Sequence, residues 1–192
     1  MREKLVRLAF LSGRGKVNYR EAHKPFILGI VGKSDTGKTT LILKLVPEFV
    51  KRGYRVGVVK NCPHGFEIDR KGKDSWKFSQ AGSQGVLLTS PERFAFLREE
   101  KEDIKKIPQI ISLLFHGFDI VLVEGYSNLQ WIEKIELLRR GISEIKDPSL
   151  KKVVAFVSDI NIKEDKPVFR PKEIDKICDW VEKKMKEVEK TE

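Results

Sequence analysis

Gly32-Lys33-Ser34-Asp35-Thr36-Gly37-Lys38-Thr39 fits the pattern G-x-x-x-x-G-K-[ST] at every fixed position. Each residue type has a chemical reason. Gly32 and Gly37 let the backbone wrap so that its N–H groups point inward, toward anions. Those donors, with the positive end of a following helix, suit the α- and β-phosphates of a nucleotide. Lys38 reaches the β- and γ-phosphates, and the Thr39 hydroxyl is placed to ligate Mg²⁺. Lys33, Ser34, Asp35, Thr36 and Thr40 complete the expected phosphate-binding segment. An apolar run precedes the motif and a helical pattern follows it, which is the context a phosphate loop requires.

A phosphate loop needs an acidic partner near the metal. Phe118-Asp119-Ile120-Val121-Leu122-Val123-Glu124-Gly125 offers two carboxylates. In a parallel α/β sheet ligands collect at the carboxyl ends of strands. Glu124, at the end of this run, is therefore expected to serve Mg²⁺ directly or through water. Asp119 starts the run, about 17 Å away, and reads as a solvated strand-entry residue. A second polar cluster, Lys60, Cys62, His64, Glu67, Asp69, Lys73 and Asp74, follows another strand. There Asp69 is a candidate for orienting water and Asp74 for Mg²⁺, against the alternative of an ordinary solvated loop. Cys62 and His64 supply two soft ligands, too few for a zinc site. Ser158-Asp159 follows a late apolar run. A carboxylate there can accept from guanine N1–H and N2–H₂ together, which adenine cannot offer. The alternative is that Asp159 caps a turn before Asn161.

These residues need elements to hold them. Residues 26–31 are a continuous apolar run, as a buried parallel strand requires. Residues 39–52 read as a helix with Leu41, Leu45 and Phe49 on one face, kinked at Pro47 and ended by Gly53. Residues 55–60 are a second strand. Asp74 is expected to cap a short helix ending near Gly82. Residues 85–89 and 94–97 look like short strands, and 103–115 like a helix with Ile107, Ile110, Ile111 and Leu114 on one side. Strands follow at 118–123, 134–138 and 153–157, then a closing helix from about Pro171. Strands alternating with helices predict an α/β fold with a parallel sheet.

The chain has 192 residues, 40% of them apolar and 34% charged. That length fits one domain, residues 26–192, behind a basic extension at 1–25. The extension carries seven Lys/Arg against two Asp/Glu, half of the net charge of +10. A short strand at residues 5–11 is the bland alternative for it. No basic stripe is interleaved with aromatics, so no nucleic-acid partner is expected. No apolar run is long enough to span a membrane, and none resembles a signal peptide. The only two cysteines, Cys62 and Cys178, form no disulfide framework, which fits a reducing cytoplasm.

Several segments go beyond the phosphate loop. Lys60-Asn61-Cys62-Pro63-His64-Gly65-Phe66-Glu67-Ile68-Asp69, Gly72-Lys73-Asp74-Ser75, Ala81-Gly82, Val123-Glu124-Gly125-Tyr126 and Lys134-Ile135-Glu136 follow it in order. Together they resemble the MobB family, the molybdopterin-guanine dinucleotide biosynthesis adaptor protein B. The resemblance implies a P-loop NTPase fold, a mainly parallel sheet flanked by helices with an added β-hairpin region. It implies a weakly hydrolysing GTP- and Mg²⁺-binding homodimer. Its partners would be molybdopterin and the guanylyltransferase that joins GMP to it. Many relatives carry a second histidine near His64, where this chain has Pro63, and a lysine where it has Ser127. In related dimeric P-loop proteins a lysine at the place of Lys33 reaches the partner's nucleotide; two glycines usually follow it, where this chain has Ser34-Asp35. Other readings of the same scaffold are a small-molecule kinase or ATP-dependent ligase, since strand-end Glu-Gly is similar to dethiobiotin synthetase. A nickel metallochaperone GTPase and a nucleotide-switched interaction module also stay open.

Overall fold

The computed structural model describes residues 23–98 and 103–190. The basic extension falls almost wholly outside them, as does the strand considered at residues 5–11. The described residues divide into two compact units, 23–63 with 104–190, and 64–98 with 103.

The larger unit is built on six parallel strands. The apolar run at the start becomes β1 (Phe26–Val31), and Val56–Lys60, the second expected strand, is β2. The later strands of the same sheet are β5 (Ile120–Glu124), β6 (Glu133–Leu138), β7 (Val153–Ser158) and β8 (Val168–Phe169). Their order in the sheet is β2-β5-β1-β6-β7-β8, every pairing parallel. All carboxyl ends therefore lie along one edge. The two-residue β8 was not expected, because a pair of residues carries no readable period.

Helices cover the sheet as the apolar periods direct. α1 (Lys38–Lys51) buries Leu41, Ile42, Leu45 and Phe49, and α4 (Ile174–Glu189) buries Ile177, Cys178, Val181 and Met185 in the same cluster. Arg52 joins them, donating to Glu48, Asp179 and Glu182 at 2.8, 2.6 and 3.2 Å. α1 runs unbroken through Pro47. The carbonyl left without its usual donor belongs to Leu43, on a water-facing part of the helix. Gly53 ends the helix as expected. At φ 88 it donates to Val50 O while Tyr54 N–H donates to Phe49 O, a Schellman closure. α3 (Ile107–Leu114), preceded by a 3₁₀ turn at Ile104–Lys106, packs with Val121, Val123 and Leu129. Of its four expected core residues Ile107 and Ile111 are buried, whereas Ile110 and Leu114 are exposed. A helix this short presents one i, i+4 pair to the sheet.

The smaller unit holds α2 (Asp74–Gln80) and an antiparallel hairpin, β3 (Gly85–Thr89) with β4 (Phe94–Arg98). The expected strand pair and short helix are present. The cap is not: Lys73 occupies the N-cap position, and Asp74 opens the helix with its carboxylate on Lys77 Nζ at 3.0 Å.

Candidate nucleotide site

The turn between β1 and α1 has the conformation its sequence requires. Gly32 sits at φ 144, and a Cβ there would stand 2.8 Å from the Leu137 carbonyl oxygen, so only glycine fits. Asp35 and Gly37 adopt left-handed conformations at φ 62 and 96. The alternation turns successive N–H groups inward, as an anion nest requires. Asp35 tolerates that region better than most residues, because a short polar side chain can bond locally. Thr36 is buried and donates to Lys33 O at 2.9 Å, holding the loop closed. The helix begins at once, Leu41 N–H donating to Gly37 O at 2.9 Å. Lys33, Ser34, Asp35, Thr39 and Thr40 are exposed.

Lys38 Nζ donates to the carbonyls of Gly32 and Lys33 at 2.9 and 2.7 Å, so the ammonium arches back over the loop. Partial burial lowers its pKa, against the opposing charges of Glu124 and Asp35. Glu124 is where the strand-end argument puts it. Thr39 Oγ1 donates to Glu124 Oε1 and Oε2 at 2.9 and 3.0 Å. A hydroxyl and a carboxylate in contact form a hard oxygen set suited to Mg²⁺, which takes few protein ligands and completes its shell with phosphate and water. Lys60, from the end of β2, stands 3.4 Å from Glu124 Oε1. Its place in a strand-end cluster was read from the sequence, but its pairing with Glu124 was not.

Asp119 enters the same strand at the opposite edge, so the two carboxylates are separated as expected. It is not solvated, however. It is buried, and its Oδ2 accepts the Arg55 N–H at 2.6 Å. Its role is to pair a backbone donor at the entry to β2.

The end of β7 delivers Asp159 to the ligand edge. Asp159 Oδ1 accepts from Arg140 N–H at 2.9 Å, just beyond the end of the neighbouring strand β6. The local turn is capped instead by Ser158, whose Oγ accepts from Ile160 N–H at 3.1 Å. Arg139 was missed by sequence reasoning. Its Nη1 donates to Asp35 O at 3.3 Å, so a guanidinium borders the phosphate loop. Its position one residue past β6, on the ligand edge, was the available signal.

The larger unit thus carries residues 32–40, Lys60, Glu124, Arg139 and Asp159. Asp69 and Asp74 belong to the smaller unit, with partners inside it. Asp69 Oδ1 accepts from Arg70 N–H and Ser75 Oγ, each at 2.8 Å, bracing the approach to α2. Among the described residues no group of three or more His, Cys, Asp and Glu side chains is arranged to hold a metal. Cys178 is buried and its thiol is pushed up to about 12 by that burial.

Known proteins are similar to this chain in sequence and fold. Residues 27–159 match the family described as molybdopterin guanine dinucleotide synthesis protein B, MobB. The chain is 35% identical to the molybdopterin-guanine dinucleotide biosynthesis adapter protein of Haemophilus influenzae, over 81% of this chain and 87% of that one. It is 30% identical to the Escherichia coli protein of the same description, over 81% and 90%. It superimposes on the crystal structure of molybdopterin-guanine biosynthesis protein B with a TM-score of 0.63 and 30% identity, covering 83% of this chain and 99% of that one. With the phosphate loop, the strand-end glutamate and the parallel order of the sheet in place, the chain belongs to the MobB family of P-loop NTPase-fold proteins.

Proposed function

We propose that this chain is a GTP-binding adaptor of molybdopterin guanine dinucleotide synthesis. It binds GTP with Mg²⁺, hydrolyses it weakly, and assists the guanylyltransferase that joins GMP to molybdopterin. The observation that carries the nucleotide half is the Thr39–Glu124 contact beside Lys38. The names of the relatives support the adaptor half. Thr39 and Glu124 would hold Mg²⁺, which, when bound, offsets negative charge on the β- and γ-phosphates. Lys38 would turn from the Gly32 and Lys33 carbonyls to the phosphates. Asp159, oriented by Arg140 N–H, would accept from the guanine edge. Asp69 and Asp74 are kept as candidates for water and Mg²⁺, and Lys33 for a contact across a homodimer. The proposed setting is the cytoplasm; no helix among the described residues is long and apolar enough to cross a membrane.

Calorimetric titration of wild type and Lys38→Ala with GTP and ATP tests this. Wild type should prefer GTP. Lys38→Ala, folded by circular dichroism, should lose roughly 10- to 150-fold in GTP affinity, the worth of charge-assisted bonds. Undiminished binding by the variant would sink the phosphate assignment, and a preference for ATP would favour a kinase or ligase. Dinucleotide synthesis by the purified guanylyltransferase should rise on adding wild type and not on adding Lys38→Ala. No effect of wild type would remove the adaptor role.

A further inference from the structure

We infer that Arg139 forms a wall of the nucleoside site, its guanidinium plane stacking on the purine base. The inference rests on the nucleotide site proposed above and adds to it the residue that grips the base.

The argument starts from the order of the strands. β1, which leads into the phosphate loop, lies between β5 and β6. The Thr39–Glu124 contact marks the Mg²⁺ corner on the β5 side, where β- and γ-phosphates belong. A nucleotide threaded along the loop from that corner leaves it on the other flank. Arg139 comes from that flank, just past the end of β6. Its Nη1 donates to Asp35 O at 3.3 Å and lies 3.8 Å from where a Gly37 Cβ would stand. The guanidinium is thus laid against the glycine-containing wall of the loop. A Cβ at Gly37 would be in ordinary van der Waals contact with it.

The backbone under this side chain is fixed. Arg139 N–H donates to Ser143 O at 3.0 Å and Ser143 N–H to Arg139 O at 2.9 Å. Gly141 N–H donates to Glu144 Oε1 at 2.7 Å. Arg140 N–H donates to Asp159 Oδ1 at 2.9 Å, coupling the turn to the residue proposed to read the guanine edge. Arg139 is itself exposed, so its plane is open to a ligand. A planar, weakly hydrated cation already held on one edge stacks on an aromatic ring with little further loss of freedom. One turn would therefore present a face for the base from Arg139 and an edge from Asp159.

Competition binding separates this role from its rivals. The probes are GTP, GDP and inorganic tripolyphosphate, each with Mg²⁺, against wild type, Arg139→Ala and Arg139→Lys. Arg139→Ala should lose roughly 5- to 150-fold for GTP and GDP alike, the worth of one stacked base. Tripolyphosphate affinity should stay at the wild-type value, and so should thermal stability without nucleotide. Arg139→Lys should match the alanine variant, since an ammonium keeps the charge but not the plane. Loss confined to GTP would make Arg139 a γ-phosphate cation and overturn the base wall. So would equal loss for tripolyphosphate, or recovery with lysine, because either points to charge. Wild type that binds GTP alongside an unaffected Arg139→Ala overturns the base wall alone. Wild type that binds no purine nucleotide overturns the function proposed above, and this inference with it.

Discussion

At the residue scale, two carboxylates on one strand are given different work by the edge they occupy. Glu124 ends β5 beside the Thr39 hydroxyl and the Lys60 ammonium, while Asp119 is buried against the Arg55 N–H. Glu124→Gln keeps the shape but removes the charge that would attract Mg²⁺. It should weaken the Mg²⁺ dependence of GTP binding roughly 10- to 100-fold, as losses at metal sites commonly do, and slow hydrolysis. Metal-free nucleotide binding should change less. Asp119→Asn retains an acceptor for Arg55 and should leave Mg²⁺ dependence near wild type. Titrating Mg²⁺ into each variant with GTP present decides it: a larger effect from Asp119→Asn would refute the strand-end assignment. Glu124 was legible because parallel topology and an apolar run together fix which end of the strand meets the loop. The burial of Asp119 was not, because it depends on Arg55, a partner sixty-four residues away.

At the element scale, β6 departs from the all-apolar strands beside it. Lys134 and Glu136 alternate with Ile135 and Leu137 and so face away from the α1–α4 core, yet both are buried. Lys134 Nζ is held by the carbonyls of Leu129, Ile132 and Lys151. Glu136 accepts the Asp147 N–H at 2.8 Å. Alternation in sequence predicts a half-exposed strand, but backbone segments around residues 129, 147 and 151 supply partners to this face. That closure is non-local, which is why the sequence identifies the strand but not what surrounds it. Burial pushes the Glu136 carboxyl above its ordinary value, with the Asp147 N–H opposing it. A pKa raised on folding means the native state binds the proton more tightly. Its contribution is then full below the ordinary value, near 4.5, and fades as pH rises through the raised one. Glu136→Gln keeps an acceptor for Asp147 without the charge. Relative to wild type, its stability should rise with pH above about 4.5 and level off above the raised value. Urea midpoints from pH 4 to 8 would show this, and a Glu136→Gln midpoint that falls relative to wild type as pH rises would contradict it.

At the scale of the whole molecule, the hairpin of the smaller unit leaves large apolar side chains exposed. The pairing of β3 with β4 sets Leu87 opposite Phe96 and Thr89 opposite Phe94. Residues directly opposite in an antiparallel pair share a face. Leu87, Phe94 and Phe96 therefore lie on one side of the hairpin, 60%, 56% and 57% exposed, while Val86 on the other side is buried. A two-stranded sheet is marginal by itself, and an apolar face of this kind suits a contact surface. The proposed homodimer supplies an occupant, the same face of a second copy, for which a self-complementary patch is the simplest symmetric solution. Each strand was readable from its own residues, but the exposure of this face was not, because an apolar strand residue looks the same whether its partner is in its own chain or in another. Leu87→Lys with Phe96→Lys would place like charges on this face and leave Val86, on the other side, in place. Light scattering should then show the mass of one chain where wild type shows two. GTP affinity should persist if the proposed site is complete within one chain. If it falls along with the mass, a partner residue such as Lys33 completes the site. A double variant that remains dimeric would move the interface elsewhere, and a monomeric wild type would remove the homodimer from the proposal.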